Sequence, residues 1–202
     1  VGQCIGANAL AAVGSAYTLM VFLISILLGL SMGSGTVFSL QYGAGDLSAL
    51  RRSIYVSLLL IGTVTILLNV AVFLWLDPIL RWLQVPYDIY PLMRNYLWII
   101  FWGIVFTFLY NFYAALLRAV GDSVTPLWFL AVSVVLNIGL DLFLILVLDQ
   151  GIEGAAVATV IAQGTAASGI LLYTYKIRPE LRLHREDMRF DRSSLREITS
   201  FS

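Results

Sequence analysis

Charged residues cut this chain into long apolar runs. Between one ionisable residue and the next, the runs cover 1–45, 53–76, 95–117, 123–148 interrupted only by Asp141, and 154–175. A bilayer core about 30 Å thick is crossed by about 20 residues of helix, so each run has the length of one span. The predicted helices are 16–41, 53–76, 91–117, 126–148 and 153–175, the first entered through a Gly-rich approach. Five spans place the two ends of the chain on opposite sides of the membrane.

Composition agrees with that pattern. Of 202 residues, 60% are apolar and 12% charged, whereas an ordinary soluble domain is about 25% charged. The fold class expected is all-α integral membrane. Twelve basic and twelve acidic residues cancel, which disfavours nucleic acid as a partner, since its readers carry a basic patch. A single cysteine, Cys4, and a single histidine, His184, exclude a disulfide framework, a thiolate metal site and a His-rich metal centre.

The cations are unevenly shared between the two sides. Arg51, Arg52, Arg118, Lys176, Arg178, Arg182, Arg185, Arg189, Arg192 and Arg196 fall on one side, against Arg81 and Arg94 on the other. The positive-inside rule makes the first side cytoplasmic. The expected location is therefore a multi-pass protein of the cell (inner) membrane, with residues 176–202 as a cytoplasmic tail.

Several features read as local structure. Gly29, Gly33 and Gly35 in the first helix, and Gly154, Ala158 and Ala162 in the fifth, predict small-residue ridges on which helices approach closely. Asp77-Pro78, Val85-Pro86 and Tyr90-Pro91 punctuate an external connection, flanked by Trp75, Trp82, Tyr87 and Tyr90 as interfacial aromatics. Gly121-Asp-Ser-Val-Thr-Pro126 predicts a tight cytoplasmic turn, with Pro126 opening the next helix, where a missing amide costs nothing. Ser194-Leu-Arg-Glu197 has the form of a capping box, so a helix is expected to start near 194. The start at Val1 without a basic n-region is no signal peptide. With an apolar stripe cut short after Phe201, it leads us to expect a piece of a longer membrane protein.

One residue resists a packing explanation. Asp141 is the only ionisable group inside a span, and a charge at the centre of a membrane helix costs about 2.5–3.5 kcal/mol on insertion scales. Asn137, one turn earlier on the same face, can hydrogen-bond the carboxyl or share an ion with it. Asp141 lies seven residues before Leu148, and Thr159 seven beyond Ile152, so the two are expected at one depth on adjacent helices. Gln163 falls one turn deeper on the face of Thr159. Asn69, seven residues from Leu76, and Tyr96, five below Pro91, reach similar depths. Asn137, Asp141 and Thr159, with Tyr96, Asn69 and Gln163 as further members, are predicted to line a cavity in the outer half of the membrane. Oxygen groups of this kind suit a proton or a hard cation such as Na⁺.

Four motifs carry a family resemblance. They are Gly43-Ala-Gly-Asp46 before Arg51-Arg52, Leu117-Arg-Ala-Val-Gly-Asp-Ser-Val-Thr-Pro126, Leu136-Asn-Ile-Gly-Leu-Asp141, and Gly151-Ile-Glu-Gly-Ala-Ala-Val-Ala-Thr159-Val-Ile-Ala-Gln163. In order and separation the sequence resembles the multidrug and toxic compound extrusion (MATE) transporters of prokaryotic type, over helices two to six of their first six-helix bundle. The resemblance implies half of a twelve-helix, pseudo-symmetric protein that exports organic cations in exchange for H⁺ or Na⁺, without a cofactor. It maps the coupling-ion site onto Asp141, Asn137 and Thr159, and cavity-lining positions onto Tyr96 and Asn111. It also makes 176–202 a linker to a second bundle of the same polypeptide, and implies that the first family helix, with a further Asp, lies outside this sequence.

Three rivals follow from the residues. A lipid-linked precursor flippase of the same superfamily is expected to line its cavity with cations, and the spans hold none beyond the interfacial Arg94. An intramembrane enzyme needs paired catalytic groups at one depth, and Asp141 stands alone without a membrane histidine, so no enzyme is expected. A non-transporting helical subunit leaves Asp141 without a purpose.

Overall fold

The computed structural model describes residues 7–82, 87, 90–183 and 198, and for 7–16, 19, 79 and 82 the backbone only. Five long helices carry the fold: α1 (Ala7–Gly43), α2 (Leu47–Leu74), α4 (Tyr90–Ala119), α5 (Val124–Leu142) and α6 (Gly151–Ile177), with α3 (Leu76–Trp82) a short helix between α2 and α4. A π-helical segment, Phe143–Val147, prolongs α5, and a 3₁₀ turn, Pro179–Leu181, follows α6. Among the described residues there is no strand. Stretches of all five long helices are long and apolar enough to cross a membrane. Cys4, His184 and the capping box at 194–197 lie outside the described residues.

The helices run past the bounds that charge spacing gives. A charged side chain at a membrane surface can stay in the helix and reach outward, so the last ionisable residue does not mark the helix end. At α2 the start is set by Asp46, whose carboxylate accepts the Ala49 amide at 2.9 Å, an N-cap arrangement. Arg51 and Arg52 therefore lie inside the helix rather than before it.

α4 is the hub. It packs against α1, α2 and α6, while α5 leans mainly on α6. The α1–α4 contact is close enough that a Cβ on Gly35 would touch the Ala115 methyl at 3.5 Å, with Phe38 edge-on to Phe112 nearby. Gly29, expected on the same ridge, faces open space instead. On α6 the ridge is real: Gly154, Ala158, Ala162 and Ala166 are all buried. Toward the C-terminal end of α6, Gly169 carries the ring of Phe129, whose Cε1 lies only 2.5 Å from where a Cβ would stand. α5 is the least covered of the five.

Asp122 ties together the helix ends that the charge pattern predicts to be cytoplasmic. Its carboxylate accepts the Thr125 amide at 3.0 Å and the Thr125 hydroxyl at 2.8 Å, capping α5, and the Tyr173 hydroxyl of α6 at 3.2 Å. The Arg178 guanidinium stands 3.9 Å away. Partial burial pushes the Asp122 carboxyl up, but the Thr125 amide and hydroxyl, Tyr173 and Arg178 outweigh it and hold the carboxyl below the ordinary range.

Candidate functional site

The Asp141 region is built where α4, α5 and α6 converge. Asn137 and Asp141 project from one face of α5, and the π segment begins two residues after Asp141. Asn137 Nδ2 donates to Thr159 Oγ1 at 3.3 Å, and that hydroxyl donates to the Ala155 carbonyl at 2.9 Å. Among the described residues, Asp141 Oδ1 is buried with no hydrogen-bond partner. Tyr96 of α4 is half-buried and close enough to Asp141 to feel its charge.

The register differs from the depth reading. Thr159 bonds Asn137, one turn deeper on α5 than Asp141. The π segment contributes to the shift, because its wider turn, seen in the Leu148 amide reaching back to the Phe143 carbonyl at 3.2 Å, advances less along the axis per residue than an α-turn. The hydrogen bond that Asn137 could make to Asp141 is not formed either, since the Asn137 amide nitrogen turns to Thr159.

Asn111 and Gln163 come together elsewhere. Both line a cavity of about 210 Å³ between α4, α5 and α6, with Thr107 and Ser133 among the other lining residues. Asn111 Nδ2 donates to the Thr107 carbonyl at 2.8 Å, which leaves its amide oxygen as an acceptor. Gln163 is admitted by the absence of a side chain opposite: a Cβ on Gly103 would stand 2.7 Å from Gln163 Oε1.

Asn69 takes a different place. Its side chain, 6% exposed, donates to the Phe101 carbonyl at 2.7 Å and clamps α2 to α4. Depth alone placed it with Asp141; its azimuth on α2 directs it to the hydrophobic core around Phe101 and Val72.

Two contributors went unread in the sequence. Ser133 is four residues before Asn137, so Ser133, Asn137 and Asp141 form one stripe on α5. Asn95 Nδ2 donates to Glu153 Oε1 at 2.8 Å, joining α4 to α6 above the Asp141 level; adjacent to Tyr96 and beside a charge, it looked only like a helix end.

A carboxylate with a buried, unpartnered oxygen beside neutral amide and hydroxyl groups can take up a proton or a hard cation. Among the described residues no group of three or more His, Cys, Asp or Glu could hold a metal, so the donors here would be one carboxylate and neutral oxygens.

Five apolar helices around a polar seam with one intramembrane acid define a polytopic membrane protein of transporter type. The family model described as MatE matches residues 1–143. The chain is 39% identical over 176 residues to the probable multidrug resistance protein YpnP of Bacillus subtilis (strain 168), a match covering 87% of the chain and 40% of that protein. It superposes on an inward-facing MATE transporter with TM-score 0.90 at 22% identity, covering 96% of this chain and 44% of that one. It also superposes on an outward-facing one with TM-score 0.89 at 23% identity, over 96% and 43%. The chain belongs to the MATE family of multidrug efflux transporters, and spans about two-fifths of the length of the curated relatives it matches.

Proposed function

We propose that the full-length protein is a secondary antiporter that exports organic cations in exchange for H⁺ or Na⁺, with Asp141, Asn137 and Thr159 as the coupling-ion site. The observation that carries this reading is the buried Oδ1 of Asp141, without a partner among the described residues of an apolar span. The family membership and the printed names of the relatives support it.

In this mechanism Asp141 alternates between a protonated or Na⁺-bound form and a free carboxylate. A free carboxylate in this setting demands a donor, and Asn137 is the nearest candidate on its own helix. Turning the Asn137 amide toward Asp141 breaks its bond to Thr159, so ion release loosens α5 from α6. The coupling ion thus favours one arrangement of this seam through its differential affinity. Tyr96, Asn111 and Gln163 line the space that the organic cation enters. The second bundle of the same polypeptide supplies the opposing wall, and residues 176–202 lead to it on the cytoplasmic side. Asn69 holds α2 to α4 and supports the cavity from outside.

The test is Asp141→Asn in the full-length protein. Gradient-driven efflux of a fluorescent cation from cells or everted vesicles is expected to be lost, with membrane expression within about twofold of wild type. Full coupled transport by this variant overturns the reading.

A further inference from the structure

At the cytoplasmic end, away from the Asp141 seam, α2, α4, α6 and the segment after α6 enclose a second cavity of about 170 Å³. That is the bulk volume of roughly five to six water molecules, but its walls are mostly apolar: Ile54, Leu116, Leu171, Leu181 and Leu183 contribute. Ile54 is seven residues into α2, and Leu171 six from the end of α6. At about 1.5 Å per residue the slot runs about 9–10 Å inward from the helix ends. Leu181, carried by the 3₁₀ turn, is buried in the core and pins the outer wall.

Arg182 stands at the rim. Its guanidinium lies over the Tyr175 ring, 4.6 Å from the centroid, and Nε donates to the Tyr175 carbonyl at 2.6 Å. The head is therefore held in place, while no carboxylate among the described residues pairs with it. Its neighbour Arg178 is by contrast engaged by Glu180 and Asp122. An apolar slot that opens at headgroup level under a fixed guanidinium, which no described carboxylate pairs, is complementary to an amphiphile with an anionic head. Basic pockets between helices on the cytoplasmic side hold anionic lipid headgroups elsewhere.

We propose that this slot seats an anionic phospholipid of the cytoplasmic leaflet, with an acyl chain between α2, α4 and α6 and its phosphate at Arg182. The lipid bridges the end of α6 to α2, and so ties the linker that leaves α6 to the helix bundle. This site is independent of the coupling reaction, because binding is read without transport.

The experiment is native mass spectrometry of the purified full-length protein titrated with phosphatidylglycerol or phosphatidylcholine of identical chains. Wild type is expected to retain one phosphatidylglycerol with at least tenfold preference. Arg182→Gln should erase that preference, and Arg182→Lys, which keeps the charge without the planar stack, should restore part of it. Glycerophosphoglycerol, the same headgroup without acyl chains, should bind at least tenfold more weakly, and millimolar inorganic phosphate or glycerol 3-phosphate should displace the long-chain lipid less than twofold. An undiminished preference in Arg182→Gln overturns the proposal. So does displacement by inorganic phosphate or glycerol 3-phosphate, which would make the site one for a free phosphate.

Discussion

Asn137 on α5 donates its amide to the Thr159 hydroxyl on α6 at 3.3 Å, and Asp141, a turn away, is left without that donor. The two helices are thus stitched by a group that the acid could claim. Interhelical side-chain bonds in membranes average about 0.6 kcal/mol, small enough for an ion to reverse.

The first prediction concerns that stitch. Thr159→Val removes the acceptor, and a double-mutant cycle with Asn137→Ala should give a coupling energy of about 0.6 kcal/mol in detergent thermal unfolding. In the same variant the half-saturating concentration of the coupling ion should change. Additive single effects with unchanged ion dependence would show that the bond is incidental.

Asn69 is expected to matter for stability and not for selectivity. Asn69→Leu loses a buried hydrogen bond and should cost about 1 kcal/mol, read as a lower unfolding temperature. The pattern of substrates exported should be that of wild type. A changed substrate pattern at unchanged stability would return Asn69 to the cavity wall.

Glycine substitutions separate contact from open space. Gly169→Ala drives a methyl into the Phe129 ring, 2.5 Å away at Cε1, and should destabilise by about 1–3 kcal/mol. Gly29→Ala, with nothing within 4 Å of the new methyl, should be neutral or slightly stabilising because helix propensity improves. The two variants are compared by melting under one detergent condition.

The Asp122 clasp carries a pH dependence of known sign. Its carboxyl is held below the ordinary carboxylate range in the folded protein, so the clasp contributes fully above that range and is lost as pH falls through the lower folded value. Asp122→Ala should cost about 0.5–2 kcal/mol at neutral pH through the lost cap. The difference in unfolding temperature between wild type and variant should narrow below about pH 4. A constant gap down to pH 3 would rule out the ionised carboxylate as its source.

What the sequence made legible depends on which physical constraint acts. The spans were readable because hydrocarbon forbids unpaired backbone groups and charges, so a gap in the charges is a helix. Asp141 was readable for the same reason: a carboxylate inside such a gap has to be explained. Asn69 was misplaced because depth follows from counting residues, whereas azimuth depends on which neighbour a helix packs against. The pairing of Thr159 with Asn137 rather than with the level of Asp141 comes in part from the π segment, which no composition signal announces. Ser133 stands at four-residue spacing from Asn137, but a neutral serine in a span carries no cost that demands an explanation.

That π segment has a consequence for the chain as a length of string. A helix with i→i+5 bonds contains one residue more than an α-helix closing the same turn, so between Asp141 and Leu148 the protein stores slack. Removing one residue from Phe143–Val147 can be absorbed by tightening the wide turn into an ordinary one, with both ends left in place. Removing one residue from the regular part of α5, between the Asp122 clasp and Asn137, has no such reserve. It would turn Asn137 and Asp141 by about 100° around the helix axis, away from Thr159 and Tyr96. The outer end of α5 is therefore tolerant of length and the stretch below it is not.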